Sequence, residues 1–348
     1  MLILSNGLTT QPDEGFLNVA NSLAKRIKNT AGNVKVISYD RQSLISDVHL
    51  NLNKLLLSRK LRAIVAKSGE DVLYIPFPAK TIATALRIFV LSLYAKKRVD
   101  VVLVLKNYMN FFARTLVKLS GANLVVFSKD SQDFYSDFLP KKRVKYLKTG
   151  VDTQRFAPVD KQKSEQLKQK YGFKPNQPVV LHVGHLKSGR NVGQLLKLSQ
   201  NYQVILVAST MTQDEQDEAL KTELLNAPNI KVMTDYVPHI EEIYQMCDVY
   251  FFPTTELCNC IDVPLSCMEA AACNKPIVTT NFGEMREFAG KEGFCFIDDF
   301  TPESLNQKVE KALNMQSCNT RAAVLEYDWN KAVKYLAWQE RGIKAEVG

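Results

Sequence analysis

The residues best placed for chemistry cluster in residues 249–272, VYFFPTTELCNCIDVPLSCMEAAA. Val249 to Phe252 is an aromatic and β-branched run suited to a buried parallel strand, and Pro253 ends its hydrogen-bonding ladder. Thr254 to Pro264 holds Thr, Asn, Asp and Pro, so a loop follows, and this loop carries two carboxylates, Glu256 and Asp262. Pro264 or Ser266 then suits the first turn of a helix running through Met268, Glu269 and Ala272. A helix that starts at the carboxyl end of a parallel strand presents free backbone N–H groups and the positive end of its dipole, a setting that favours a phosphate. Cys258, Cys260, Cys267 and Cys273 crowd the same stretch. A lone C-x-C without a second close pair or a nearby His is a poor zinc pattern, and no metal is expected.

The elements that must position these residues belong to a chain of 348 residues, 46% hydrophobic and 23% charged. That is an ordinary globular composition at about twice the length of a typical domain, which predicts two domains. Met1 leads straight into the short strand LIL, without a basic segment and a long apolar core, so no cleavable signal is expected. The apolar run from Ile82 to Tyr94 is broken by Thr84, Arg87 and Ser92 and falls short of the roughly 20 residues that span a bilayer. A soluble, cytoplasmic protein is the expectation. The seven cysteines, an odd number, argue for reduced thiols rather than a disulfide framework.

Charge is spread unevenly. Residues 1–150 hold 24 Lys and Arg against 10 Asp and Glu, a net +14 within the total of +9. Such asymmetry fits either a solvated basic face or an anionic partner, membrane headgroups or nucleic acid. No recognised nucleic-acid motif accompanies it, so nucleic acid is not expected. The apolar run Ile82 to Tyr94, flanked by Lys80 and by Lys96, Lys97 and Arg98, is the segment expected at an anionic membrane surface, unless it is simply a buried helix.

Along the chain, MLILSN, a Gly7–Gly15 loop and a helical pattern through Phe16, Val19, Leu23 and Ile27 open an α/β domain, with Gly15 near the helix start. VKVISYD (residues 34–40), AIVAK (63–67), DVLYIPF (71–77), DVVLVL (100–105) and NLVVFS (123–128) read as further short strands. KKRVKYLK leads into TGVDTQRFAP, where the pattern pauses, and the boundary is expected between Thr149 and Gln162. A second series follows with VVLHVG, QVILVA, NIKVM, VYFF, PIVTT and FCFID. The alternation predicts two mostly parallel, Rossmann-like sheets, as residues 1–148 and 149–330, with 331–348 as a closing helix.

Several stretches of the second half, taken together over about residues 149–330, resemble the retaining family 4 glycosyltransferases of the GT-B fold. TGVDTQRFAP resembles their interdomain N-G-V-D-x-x-x-F-x-P signature. VVLHVGHLKSGRNV resembles the phosphate-gripping V-G-R-L-x-x-x-K-[GN] loop, and CDVYFFPT the A-D-V-x-x-x-P-S strand. MEAAACNKPIVTTNFGEMREF resembles L-E-A-M-A-C-G-x-P-V-V-x-x-x-x-G-x-x-E. In the first half only the LIL strand, Gly15 and Ser128 show a loose likeness.

The resemblance implies an α/β, GT-B fold with two Rossmann-like domains facing across a cleft. It places Arg190 at the family's Lys position, where a fixed cation stabilises the departing nucleotide diphosphate. Gly184 belongs to the same loop. His185 stands where the family has Arg, with Lys187 two residues on as a second cation. Glu269 matches the second carboxylate of the E-x7-E motif, assigned to the donor's ribose hydroxyls, and Pro264 and Ser266 lie at the start of its helix. The first carboxylate has no match, since Ile261 stands there, with Asp262 beside it and Glu256 nearer the strand as candidates. The family's His after a mid-domain strand is also absent after DVVLVL, where Lys106, Asn107 and Tyr108 stand. Glu14, Gly15 and Lys106 form the expected acceptor-side set.

The expected activity is therefore a retaining hexosyl transfer from a UDP- or GDP-type nucleotide-diphosphate sugar to a lipid-linked or cell-envelope glycan acceptor. The expected site needs no cofactor and no metal, and the expected place is cytoplasmic, at the inner face of the membrane. The alternative is a catalytically degenerate GT-B-like binding or scaffolding protein that kept the fold without the first Glu and the His.

Overall fold

Strand, helix and parallel strand alternate throughout, in a computed structural model that describes residues 1–10, 15–77, 82–106, 109–208, 217–256 and 260–340. The chain divides into two units, residues 150–328 and the remainder. In the first unit the strands are β1 (Leu2–Ser5), β2 (Lys35–Tyr39), β3 (Val48–Leu50), β4 (Val72–Ile75), β5 (Val99–Leu103), β6 (Asn123–Val126) and β7 (Val144–Tyr146). They form an all-parallel sheet in the order β3-β2-β1-β4-β5-β6-β7 among the described residues. The order reverses between β1 and β4, and the carboxyl ends on either side of such a reversal are where α/β sheets take ligands. The helices are α1 (Gly15–Thr30), α2 (Arg59–Ser68), α3 (Ile82–Tyr94), α4 (Phe111–Ser120) and α5 (Lys129–Ser136). Right-handed crossovers put α2 to α5 on one face of the sheet and α1 on the other.

AIVAK, expected as a strand, is helical and lies inside α2. Ser58 caps that helix by accepting a hydrogen bond from the Leu61 N–H, and Gly69 closes it in the left-handed region at φ 59°. Leu61 and Val65, four apart, point into the core, so helical spacing and both caps outweigh a short β-branched run. Two short strands escaped the sequence reading. β3 is three residues long at the sheet edge, and β7 lies inside the basic stretch KKRVKYLK. Arg143 of that stretch caps helix α4, its guanidinium donating to the carbonyls of Val117, Lys118 and Ala122 at 2.6–3.0 Å.

The second unit contains α6 (Lys161–Lys170), β8 (Val179–Gly184), β9 (Gln203–Ala208), α7 (Glu218–Asn226), β10 (Ile230–Met233), α8 (Ile240–Met246), β11 (Val249–Phe252), α9 (Leu265–Ala272), β12 (Ile277–Thr279), β13 (Phe294–Phe296), α10 (Pro302–Leu313) and α11 (Thr320–Val324). Its sheet is again all parallel, in the order β10-β9-β8-β11-β12-β13. β8 and β11 are neighbours across the reversal, paired at Val180–Val249 and Leu181–Tyr250, so the loops after both strands open at one place. The last described helix, α12 (Trp329–Glu340), begins two residues before the expected closing segment and packs on α1 of the first unit.

The GVD signature builds the start of the second unit. Gly150, at φ 149°, has Val263, Leu265 and Met268 side chains 3.1–3.4 Å from where a Cβ would stand. Arg321 donates to the carbonyls of Thr153, Phe156 and Ala272, which ties this segment to the end of α9. Thr153 donates through both its N–H and its hydroxyl to Asp328. Asn274 takes the left-handed conformation (φ 57°) at the family's glycine position. Asn is the residue that tolerates this best after Gly, and its side chain also bonds the Cys318 carbonyl and the Arg321 N–H.

Candidate active site

Arg190 closes a short 3-10 turn, Ser188–Arg190, that follows β8 directly. Two backbone hydrogen bonds curl the loop, Lys187 N–H to the His185 carbonyl and Arg190 N–H to the Lys187 carbonyl, each 3.0 Å. Two more fasten it to the loop after β11. The Thr254 hydroxyl donates to the Arg190 carbonyl at 3.2 Å, and the Asn191 side chain donates to the Pro253 carbonyl at 3.3 Å, with Asn191 itself left-handed at φ 58°. Thr280 in turn donates to the Thr254 carbonyl. The backbone that carries Arg190 is therefore held from several sides at the crevice outside β8 and β11.

Arg190 is only 8% exposed, and its Nε has no hydrogen-bond partner among the described residues. A buried guanidinium N–H left without a partner carries a desolvation cost that an anion in the site would repay. Gly184 makes room for it, since a Cβ there would lie 3.1 Å from Arg190 Nη1 and equally 3.1 Å from His182 Nε2. His182 is fully buried in β8 and donates from Nδ1 to the Phe251 carbonyl at 2.8 Å, which leaves Nε2 as the unprotonated nitrogen. Burial, with a smaller contribution from the Arg190 cation, pushes its pKa down to about 4, so the ring is neutral at pH 7. Its ring lies in a stacked column with Tyr250 and Phe252.

Glu269 sits in the second turn of α9. Part of its surface remains open, yet burial of the carboxyl pushes its pKa from 4.5 up to about 7, partly offset by the Tyr244 hydroxyl and the Arg155 cation. Tyr244 is fully buried and its hydroxyl falls short of hydrogen-bonding geometry with any described group. A carboxyl group and a hydroxyl facing one another without a completed bond are suited to a ligand's hydroxyls. At the start of α9, Pro264 is buried and leaves the Leu265 and Ser266 N–H groups at an uncapped terminus; the Ser266 hydroxyl makes no cap.

Asp262 is buried at 7% exposure, and its carbonyl accepts from the Glu284 N–H at 2.9 Å. Glu284, buried to 1%, takes a 2.6 Å hydrogen bond from the Tyr327 hydroxyl. Cys260 and Cys267 are buried beside Arg190, and burial raises both thiols above their ordinary pKa. Among the described residues no group of three or more His, Cys, Asp or Glu could hold a metal ion.

Residues 163–328 match the model of the family "Glycosyl transferases group 1". The chain carries a group 1 glycosyltransferase domain. One curated relative, alpha-galactosylglucosyldiacylglycerol synthase of Streptococcus pneumoniae (strain ATCC BAA-255 / R6), is 22% identical over 242 residues. That match takes in 65% of this chain and 60% of the relative's length. Among solved structures, Anabaena Alr3699/HepE in complex with UDP and glucose is similar over 98% of this chain and 99% of its own, with TM-score 0.76 and 15% identity. A glycosyltransferase from Rickettsia africae ESF-5 is similar over 99% of both chains, with TM-score 0.78 and 15% identity. These likenesses show the fold, GT-B, built of two Rossmann-like α/β units.

Within the glycosyltransferase domain the predicted residues separate. Gly184, His185, Lys187 and Arg190 lie on one loop, with His185 and Lys187 half-buried, and Pro264, Ser266 and Glu269 lie on the neighbouring α9. β8 and β11 bring the two groups together. Glu256 is exposed, whereas Ile261, at the family's first-carboxylate position, is buried. In the first unit Gly15 begins α1, and Lys106 forms a 3.1 Å ion pair with Asp130 and lies over the Phe134 ring. Glu14 lies outside the described residues, as do Lys80, Cys258, Asn107 and Tyr108. His182, Thr254 and Tyr244 were missed. The alternation of VVLHVG places His182 on a buried face of a strand, and a lone polar ring there was the available signal.

Proposed function

We propose that the chain transfers a hexosyl group from a nucleotide-diphosphate sugar, with retention of configuration, to a lipid-linked or cell-envelope acceptor. The observation that carries this reading is Arg190, a buried guanidinium with an open Nε fixed at the carboxyl ends of β8 and β11. Diphosphate oxygens are anions of the right geometry for it, and their charge grows as the glycosyl bond breaks. Glu269 and Tyr244 supply polar groups for ribose hydroxyls. A relative named for glycosyldiacylglycerol synthesis supports a lipid-borne acceptor. The UDP and glucose of the Anabaena complex support a UDP-type donor. No metal or organic cofactor enters this scheme, and an anionic membrane surface is where such an acceptor is met.

The absence of a carboxylate at position 261 favours a second reading, in which the site holds the nucleotide and transfers nothing. Incubating the full chain with UDP-, GDP- and ADP-sugars and following nucleotide release with and without a diacylglycerol glycolipid separates the two. Acceptor-dependent release, with an α-linked product from an α-linked donor, supports retaining transfer. Nucleotide binding without release supports the second reading, and neither would remove the site assignment.

A further inference from the structure

Of the seven large apolar side chains exposed among the described residues of the first unit, four, including both aromatic ones, lie at helix starts. Leu57 is 55% exposed, Ile82 50%, Phe111 87% and Phe112 56%. Leu57 precedes the cap of α2, Ile82 is the first residue of α3, and Phe111 and Phe112 are the first two of α4. Each of these helices runs from the carboxyl end of one parallel strand back to the amino end of the next. Their N-termini therefore lie at the same end of the unit, and α2 packs on α3 and α3 on α4. The four side chains form a rim at the sheet's carboxyl end, the end at which α/β sheets bind ligands. Leaving a Phe in water forgoes the gain of burying it, and two adjacent ones mark a contact surface.

The charge on this rim is one-sided. Helix N-termini carry the positive end of the dipole and ordinarily attract Asp and Glu. The first turns of α2, α3 and α4 contain no acidic residue. Helix α2 instead begins Arg59, Lys60 and then Arg62, all exposed. Cations at a positive dipole end disfavour the isolated chain and favour an anion placed against them. The other ends of α3 and α4 also expose apolar and basic side chains, Leu93, Leu119, Lys96 and Lys97, but no aromatic one. There Arg98 pairs with Asp71 and Asp100 at 3.2 and 3.0 Å. The middle of α3 buries Ala85, Ile88 and Leu91 in the core, so the run from Ile82 to Tyr94 is a core helix with an exposed start.

We propose that this rim docks the protein on an anionic lipid surface, with Phe111 and Phe112 among the headgroups and Arg59, Lys60 and Arg62 on the lipid phosphates. Apolar side chains and exposed cations at the same end of the unit match such a surface in both respects. A protein partner or a second copy of this chain would need acidic groups of its own against the same cations. Docking in this way turns the carboxyl end of the first sheet toward the membrane, where a lipid-borne acceptor enters. The inference deepens the proposed function only in that last step, because lipid binding requires no sugar transfer.

The test is flotation of the full chain with vesicles of phosphatidylcholine alone and with about 30% phosphatidylglycerol, without donor or acceptor. The expected result is recovery with the anionic vesicles only, weakened by raised salt. Phe111→Ser with Phe112→Ser should lower the partition coefficient at least tenfold. Arg59→Gln with Lys60→Gln should lower it roughly thirtyfold, at about 1 kcal/mol for each cation. Lys96→Gln with Lys97→Gln, at the other end of α3, should change it less than twofold. All four positions of the first two pairs are on the surface, and circular dichroism checks each fold; if the phenylalanine pair fails to fold, the Arg59 and Lys60 pair still decides. Equal recovery on neutral vesicles, equal loss in the control pair, or a concentration-dependent dimer broken by the phenylalanine changes would overturn the proposal. A chain that floats but transfers no sugar overturns the proposed activity and leaves the docking surface standing.

Discussion

A Cβ on Gly184 would stand 3.1 Å from Nη1 of Arg190, so the glycine at the end of β8 is what lets the guanidinium lie across the strand end. The same Cβ would meet His182 Nε2 at 3.1 Å. The two contacts have different consequences. His182 is rigid, fixed by its bond to Phe251 and by its stacked neighbours, while Arg190 Nη1 is the tip of a long side chain.

Gly184→Ala should therefore displace the arginine and spare the fold. A modest loss of stability, about 1–2 kcal/mol, is expected, because the arginine tip can move aside but the His182 contact must be accommodated by small shifts. Nucleotide affinity should fall about tenfold by calorimetry. Wild-type affinity in a folded variant would remove Arg190 from the diphosphate site.

Arg190→Ala should lower kcat/KM for sugar transfer about a thousandfold. A cation about 4 Å from a diphosphate oxygen is worth roughly 4 kcal/mol at an effective dielectric near 20, and each 1.36 kcal/mol is a factor of about ten. Stability should hold or rise, since the variant removes a buried cation whose Nε has no hydrogen-bond partner among the described residues. Arg190→Lys should recover only part of the rate, because an ammonium cannot fork two oxygens. Equal turnover in wild type and Arg190→Ala would refute the role.

Glu269 gives a pH signature. With its folded pKa near 7 against 4.5, the native state keeps a proton that the unfolded chain has released between those values. Stability contributed by this group is therefore present at low pH and lost as pH rises from about 4.5 to 7. Glu269→Gln should be more stable than wild type above pH 7 by about 2 kcal/mol, less than the full shift because part of the side chain stays in solvent, and the difference should vanish near pH 4. Ribose hydroxyls favour the ionised form, so nucleotide binding at pH 7 should release protons. Calorimetry in buffers of different ionisation enthalpy reads that release, and a buffer-independent enthalpy would contradict the assignment.

The sequence makes legible those parts that depend on local pattern. β8, β9 and β11 fall on VVLHVG, QVILVA and VYFF, and α3 on Ile82 to Tyr94, because buried parallel strands and a long apolar helix carry their own periodicity. AIVAK misleads because five residues cannot distinguish a strand from a helix whose caps, Ser58 and Gly69, lie outside the window. Position along the chain also says nothing of partners. Lys106 is taken up by Asp130, and Arg143 by two carbonyls of α4 and that of Ala122 beyond it. His182 and Tyr244 reach the site through strand pairing and helix packing, long-range relationships that no single stretch of sequence encodes.

Gly283 tests how the fold holds Asp262. It has φ 50°, and a Cβ would lie 2.2 Å from the carbonyl oxygen of Asp262, a backbone atom that cannot swing aside. That closeness lets the next residue's N–H, on Glu284, reach the same carbonyl at 2.9 Å, while the Glu284 carboxylate is fixed by Tyr327. Gly283→Ala should cost about 3 kcal/mol, of which 1–2 is left-handed strain and the remainder the displaced loop. Gly290→Ala is the matched control, because Gly290 has φ 77° and open space at its Cβ position. It should show the strain alone. The excess in Gly283→Ala then measures the approach to Asp262, and nucleotide affinity should fall with it, since the same loop runs on through Pro264 into α9. Equal destabilisation of the two variants in urea, with affinity unchanged, would mean that the loop is positioned without this contact.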